Sequence, residues 1–155
     1  MGYKNAMSGF TLRVTALLSC LLWVGSLLHM PARAAEPAAL AIQGYDPVAY
    51  FTLQRATPGV AQFSYDWDEH HWQFSSARHR DLFIADPVRY APQFANFCAV
   101  ALARGEVLLA NPEYWLISDG RLYLFGKPAG PDLFRGDLPG NIEKARQNGA
   151  LLKAH

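Results

Sequence analysis

Polar and apolar residues alternate from Gln62 to Trp67, with Phe63, Tyr65 and Trp67 on one face and Gln62, Ser64 and Asp66 on the other. A period of two predicts a half-buried strand. After a polar turn at Asp68-Glu69-His70, the pattern returns over His71 to Ser75 with Trp72 and Phe74 pointing inward. The pair predicts an antiparallel hairpin whose aromatic inner face is stabilised by cross-strand ring contacts. Ser75 or Ser76 then caps a short helix, Ala77 to Ala85, which Asp86-Pro87 stops. Leu82 and Phe83 supply its apolar face, and Arg78, His79, Arg80 and Asp81 its wet one. Asp86-Pro87 also opens a further helical turn through Tyr90, ended by Pro92.

Upstream, Glu36 to Ala41 is rich in Ala and Pro, without period, and is expected to be loosely held. Asp46 is placed to cap a short helix with Pro47 at its first position, turning Tyr50 and Phe51 toward the core. Gln54 to Gly59 reads as a loop. Downstream, Asn96 to Gly105 reads two ways. As a strand, Cys98, Val100 and Leu102 share a face. As a helix, Asn96 is the N-cap, the alanines favour the element and Gly105 ends it. The helix is taken here. Tyr114 to Ser118, the Asp119-Gly120 turn and Arg121 to Phe125 form a second hairpin. A Gly/Pro-rich stretch, Gly126 to Gly140, leads to a terminal helix, Asn141 to Lys153, with Ile142, Ala145 and Leu152 available for docking. The expected fold is a small α+β domain of two antiparallel β-hairpins packed against short helices.

The first 34 residues stand apart. Lys4 and Arg13 precede an apolar run from Val14 to Leu28, and Ala32-Arg33-Ala34 offers small residues for signal-peptidase cleavage, with Ala35-Glu36 as the new start. Residues 1–34 therefore read as a signal peptide, and 35–155 as a single exported domain, periplasmic or secreted, with its core over 41–125. The run is short for a membrane span, so no membrane partner is expected once it is cleaved. Cleavage removes three of the 14 basic residues and none of the 13 acidic ones, turning a formal charge of +1 into about −2. No basic run interleaved with aromatics remains, which sets nucleic acid aside.

Of the two cysteines, Cys20 leaves with the leader and Cys98 stays without an intramolecular partner. An unpaired thiol in an exported chain is reactive, paired with another molecule, metal-bound or simply buried. In the helix reading Cys98 lies in the first turn, where free N–H groups favour the thiolate. His70, His71 and His79 are the imidazoles that could join it as ligands or as a base. Adjacent strand residues face opposite ways, so His70 and His71 read first as solvated turn residues and His79 as a surface one. No C-x-x-C, phosphate loop or nucleophile elbow accompanies the thiol, so no enzyme with a named reaction is indicated.

Four segments together resemble the YHS domain family, and more narrowly its exported single-domain members, some of which are selenoproteins. They are Gly44-Tyr45-Asp46-Pro47-Val48-Ala49-Tyr50-Phe51, Trp72-x-Phe74-x-Ser76, Arg80-Asp81-x-Phe83-x-Ala85-Asp86-Pro87-x-x-Tyr90-Ala91-Pro92 and Phe97-Cys98-Ala99. Metal-associated members, such as domains of copper-transporting ATPases, carry cysteines where this chain has Ala49, Ser75 and Arg78. Exported members with selenocysteine carry it where this chain has Cys98. The resemblance implies a soft-metal site, of copper type, built on Cys98. A thiol redox protein cycling Cys98 against a partner thiol is the second reading, and a structural or interaction domain with an inert Cys98 is the third.

Overall fold

The computed structural model describes residues 38–152; the expected leader Met1 to Ala34, with its Cys20, and also Lys153 and the side chain of Leu152, lie outside what it describes. Among the described residues the architecture is α+β, with a three-stranded sheet and a two-stranded one. Strand β1 (Ala39–Leu40) leads into a 3-10 turn (Ala41–Gly44) and helix α1 (Ala49–Thr52). The first hairpin is β2 (Val60–Trp67) and β3 (His70–Phe74), followed by helices α2 (Ala77–Ala85), α3 (Pro87–Tyr90) and α4 (Ala99–Ala103). The second hairpin is β4 (Asn111–Ser118) and β5 (Arg121–Phe125), and the chain closes with α5 (Gly130–Arg135) and α6 (Leu138–Leu152). No helix among the described residues is long and apolar enough to cross a membrane.

The first hairpin forms in the expected register, with Tyr65 opposite Trp72 and Trp67 opposite His70. Its turn is Asp68-Glu69, both at positive φ, so His70 belongs to the strand rather than to the turn. Gly59 lets the entry to β2 cross close over β3: a Cβ there would sit 2.5 Å from the Gln73 carbonyl carbon. From Ala39 on, the entry segment corrects the expectation of a loose start over Glu36 to Ala41; Glu36 and Pro37 lie outside the described residues. Ala39 and Leu40 pair in parallel with His70 and His71, and the following turn is pinned from far away in sequence. Asn96 Oδ1 accepts from the Ile42 N–H at 2.6 Å, and Gln43 Nε2 donates to the Ala110 carbonyl at 2.9 Å. Those two bonds hold Ile42 and Gln43 in the left-handed region, with φ of 38° and 54°, where a β-branched residue is strained.

Helix α2 and its neighbour form as the caps dictate. Ser76 Oγ accepts from the His79 N–H, and Asp86 Oδ1 from the Arg89 N–H with Pro87 in the first turn of α3. Around Cys98 the helix reading holds but shrinks. It starts at Ala99, Cys98 is the N-cap, and Asn96 is drawn off to Ile42. Two further differences concern the C-terminal part. The Gly/Pro-rich stretch contains α5, and the last helix begins three residues early, at Leu138, where Asp137 Oδ1 accepts from the Gly140 N–H.

Strand β5 organises the interior. Leu122 through Phe125 are all buried, an unbroken apolar run of the kind a strand covered on both faces requires. Alternation sends Leu122 and Leu124 into one core with Tyr50, Trp72, Phe74 and Phe83. Tyr123 and Phe125 enter a second core with Cys98, Ala99, Leu116 and Phe134.

Candidate functional site

Asp46 is the most heavily bonded side chain among the described residues before β4. Its Oδ1 accepts from the backbone N–H groups of Val48 at 2.9 Å and Ala49 at 3.2 Å, which is the expected capping role for α1. Its Oδ2 reaches the other way, to the N–H of Ser75 at 2.8 Å, the hydroxyl of Ser75 at 2.6 Å and Nδ1 of His79 at 2.6 Å. The carboxylate is fully buried, and five donors compensate its lost hydration. It ties α1, the end of β3 and α2 together.

His79 is therefore not the surface residue expected: it is 8% exposed. It precedes Phe83 by four positions, so the two share the inward face of α2, and Asp46 makes burial of the ring tolerable. Its Nε2 lies 3.1 Å from Thr52 Oγ1, whose hydroxyl also lies 3.1 Å from the Val48 carbonyl. Because that hydroxyl can donate to either, the ring is satisfied whether it is neutral or an imidazolium. His71 is held by Asp66 on the neighbouring strand, in a pair largely open to water. His70 Nδ1 lies 2.7 Å from the Asp68 carbonyl. A carbonyl only accepts, so Nδ1 carries the proton and a neutral His70 keeps Nε2 as a free acceptor.

Cys98 is 7% exposed and sits in the second core. Its N–H donates to the Leu108 carbonyl at 2.8 Å, and its carbonyl accepts from Leu102. Close packing surrounds the thiol: a Cβ on Gly126 would lie 3.8 Å from Sγ. The cluster that encloses it is apolar, and no group of three or more His, Cys, Asp or Glu side chains among the described residues is placed to hold a metal ion. Those surroundings are a poor fit to a soft cation, which takes several soft or imidazole donors. Histidines 70, 71 and 79 are thus distributed over three separate settings, and Cys98 over a fourth.

Beside the first hairpin lies a cleft of about 550 Å³. One wall is the hairpin end, with Trp67, Asp68, His70 and Trp72; a second is the segment Ala91 to Phe97; the third is α6, with Arg146, Gly149 and Ala150, and Leu102 at the floor. The volume is within the range of small-molecule sites, and the lining combines aromatic walls with a few polar groups. Trp72 is fixed by its indole N–H to the Trp67 carbonyl at 2.9 Å and by its ring against Phe83. Phe94 is backed by Tyr123, whose hydroxyl burial pushes above the ordinary tyrosine range. The guanidinium of Arg146 is 61% exposed and, among the described residues, forms a loose ion pair with Glu143 at 3.7 Å, longer than a hydrogen bond. A smaller pocket of about 120 Å³ beside Ile42 and Asn96 has room for a few waters.

Of the candidate site residues Cys98, His70, His71 and His79, only His70 lines the cleft. Phe94 and Arg146 carried no chemical signal in the sequence, and Phe97 entered only through the Phe97-Cys98-Ala99 segment. No family model, no curated protein and no solved structure matches this chain.

Proposed function

We propose that this chain is an exported YHS-like binding domain that takes a small ligand into the aromatic cleft, and that Cys98 packs the core behind it. The observation that carries this reading is the cleft itself: three segments distant in sequence converge on one volume with apolar walls and a few polar groups at its edge. The export pattern of the first 34 residues supports an extracytoplasmic setting for it. The near-complete burial of Cys98 among apolar side chains favours this reading over a metal ligand or a cycling thiol, both of which need access to the sulfur.

Gly149 offers the test, because a Cβ built there meets nothing within 4 Å. Gly149 lines the cleft, so Gly149→Phe places a ring at its helix side from a Cβ position that is open, and removing a helix-interior glycine does not weaken α6. Binding is read by the fluorescence of N-phenyl-2-naphthylamine, a neutral apolar probe. The expected result is saturable binding to the purified chain that falls at least tenfold in Gly149→Phe while the melting temperature holds. Leu109→Ser, in the exposed run Val107-Leu108-Leu109, is expected to leave binding unchanged. Unchanged binding by a folded Gly149→Phe, or loss of binding in Leu109→Ser, overturns the reading.

A further inference from the structure

The polar groups around the cleft are of opposite kinds on its two main walls. The hairpin wall carries Asp68 and His70; with Nδ1 committed to the Asp68 carbonyl, the neutral form of the His70 ring offers Nε2 as an acceptor. The Asp68 carboxylate only accepts as well. On the α6 wall, Arg146 contributes a guanidinium, which only donates, and the Glu143 carboxylate that pairs with it lies at 3.7 Å, leaving its N–H groups free of a hydrogen bond among the described residues. Trp67, Phe94 and Phe97 line the same cleft. An occupant that pairs with both walls has to carry its anionic group at the helix side and an N–H or O–H donor at the hairpin side. An anion turned the other way would face Asp68.

Resting on the cleft as the binding site, we propose that it recognises an aromatic anion bearing a hydrogen-bond donor at its far end, with Arg146 holding the anionic group and His70 Nε2 accepting from the donor. The rings provide a flat apolar body contact of low conformational cost. Arg146 adds charge-assisted hydrogen bonds, moderated by its exposure to water. The ligand class is thus amphipathic and polarised along the line from hairpin to helix.

Two probes with the same anilinonaphthalene body separate this inference from the reading beneath it. N-phenyl-2-naphthylamine carries the N–H alone, and 6-anilinonaphthalene-2-sulfonate carries the N–H and, at the opposite end of the naphthalene, an anion. Arg146→Gln is expected to weaken the sulfonate probe about fivefold, an amount suited to a half-exposed charge-assisted contact, and to leave the neutral probe within twofold. His70→Phe, which keeps an aromatic ring and removes the acceptor, is expected to weaken both probes about threefold to fivefold. Raising salt from 50 to 500 mM should weaken only the sulfonate probe, and only in the chain that retains Arg146. Equal effects of Arg146→Gln on both probes, or none on either, would sink the anion assignment while leaving the cleft reading intact. Unchanged affinity of both probes in His70→Phe overturns the acceptor role. If neither probe binds saturably, the cleft reading itself falls.

Discussion

Replacing Asp46 by Asn tests whether one buried carboxylate joins the first half of the domain. The change conserves shape and removes the charge, but an amide has one accepting oxygen where the carboxylate has two. With the oxygen toward Val48 and Ala49, the new NH2 faces the N–H of Ser75, its hydroxyl and the Nδ1 of His79. With the amide turned over, it faces the N–H groups of Val48 and Ala49 instead. Either way at least two donors lose their acceptor, and the side chain is fully buried, so little water reaches them. A buried donor left unsatisfied costs about 1–3 kcal/mol, so two of them cost about 2–6 kcal/mol. The expected loss is about 4 kcal/mol, a large share of the roughly 5–15 kcal/mol that a domain commonly has. Equilibrium urea unfolding of the parent and Asp46→Asn, followed by tryptophan fluorescence and far-ultraviolet circular dichroism, measures it as a drop in midpoint at constant slope. His79→Ala on its own should cost less, because three acceptor contacts of Oδ2 shrink to two, and the double variant should cost less than the sum. A loss below about 1 kcal/mol in Asp46→Asn with the slope unchanged would refute the account.

Tyr50 is fully buried and donates to the Pro112 carbonyl at 2.9 Å; burial first, then the nearby Glu113, Tyr45 and Asp46 charges, raises its pKa far above the ordinary 10.0. The neutral phenol's contribution is therefore complete below pH 10 and is lost as pH rises beyond it, so Tyr50→Phe should cost about 1–2 kcal/mol at pH 7 and flatten the alkaline limb of a stability–pH curve. Equal alkaline slopes in both chains would contradict this. Gly59→Ala should lower the melting temperature through a clash with the Gln73 and Phe74 backbone, at a cost of about 1–3 kcal/mol, whereas Gly149→Ala in open space on α6 should raise stability by about 0.5–1 kcal/mol. The Cys98 thiol should react with an aromatic disulfide reagent far more slowly in the native chain than in urea, and Cys98→Ser should cost about 1–3 kcal/mol for placing a hydroxyl among apolar neighbours. Native alkylation at the free-thiol rate would return the redox reading to favour.

Local chemistry was legible from the chain alone. The alternation Phe63-Tyr65-Trp67 against Trp72-Phe74, the Ser76 and Asp86 caps and the Asp119-Gly120 turn set the elements with few errors, because each depends on residues within a few positions. Where the chain misled, a distant partner had outbid the local one. Asn96 has an N-cap's chemistry, yet its oxygen went to the Ile42 N–H, 54 residues away, and the helix began at Ala99. Ala39 and Leu40 carry no strand period, but the edge of β3 supplied the hydrogen bonds that ordered them. His79 looked wet among Arg78, Arg80 and Asp81; its spacing of four from Phe83 pointed inward, and Asp46, 33 residues earlier, made that burial affordable. The cleft belongs wholly to the tertiary structure. Its walls come from the first hairpin, the segment Ala91 to Phe97 and α6, and no one-dimensional pattern records that Trp67, Phe94 and Arg146 face the same volume.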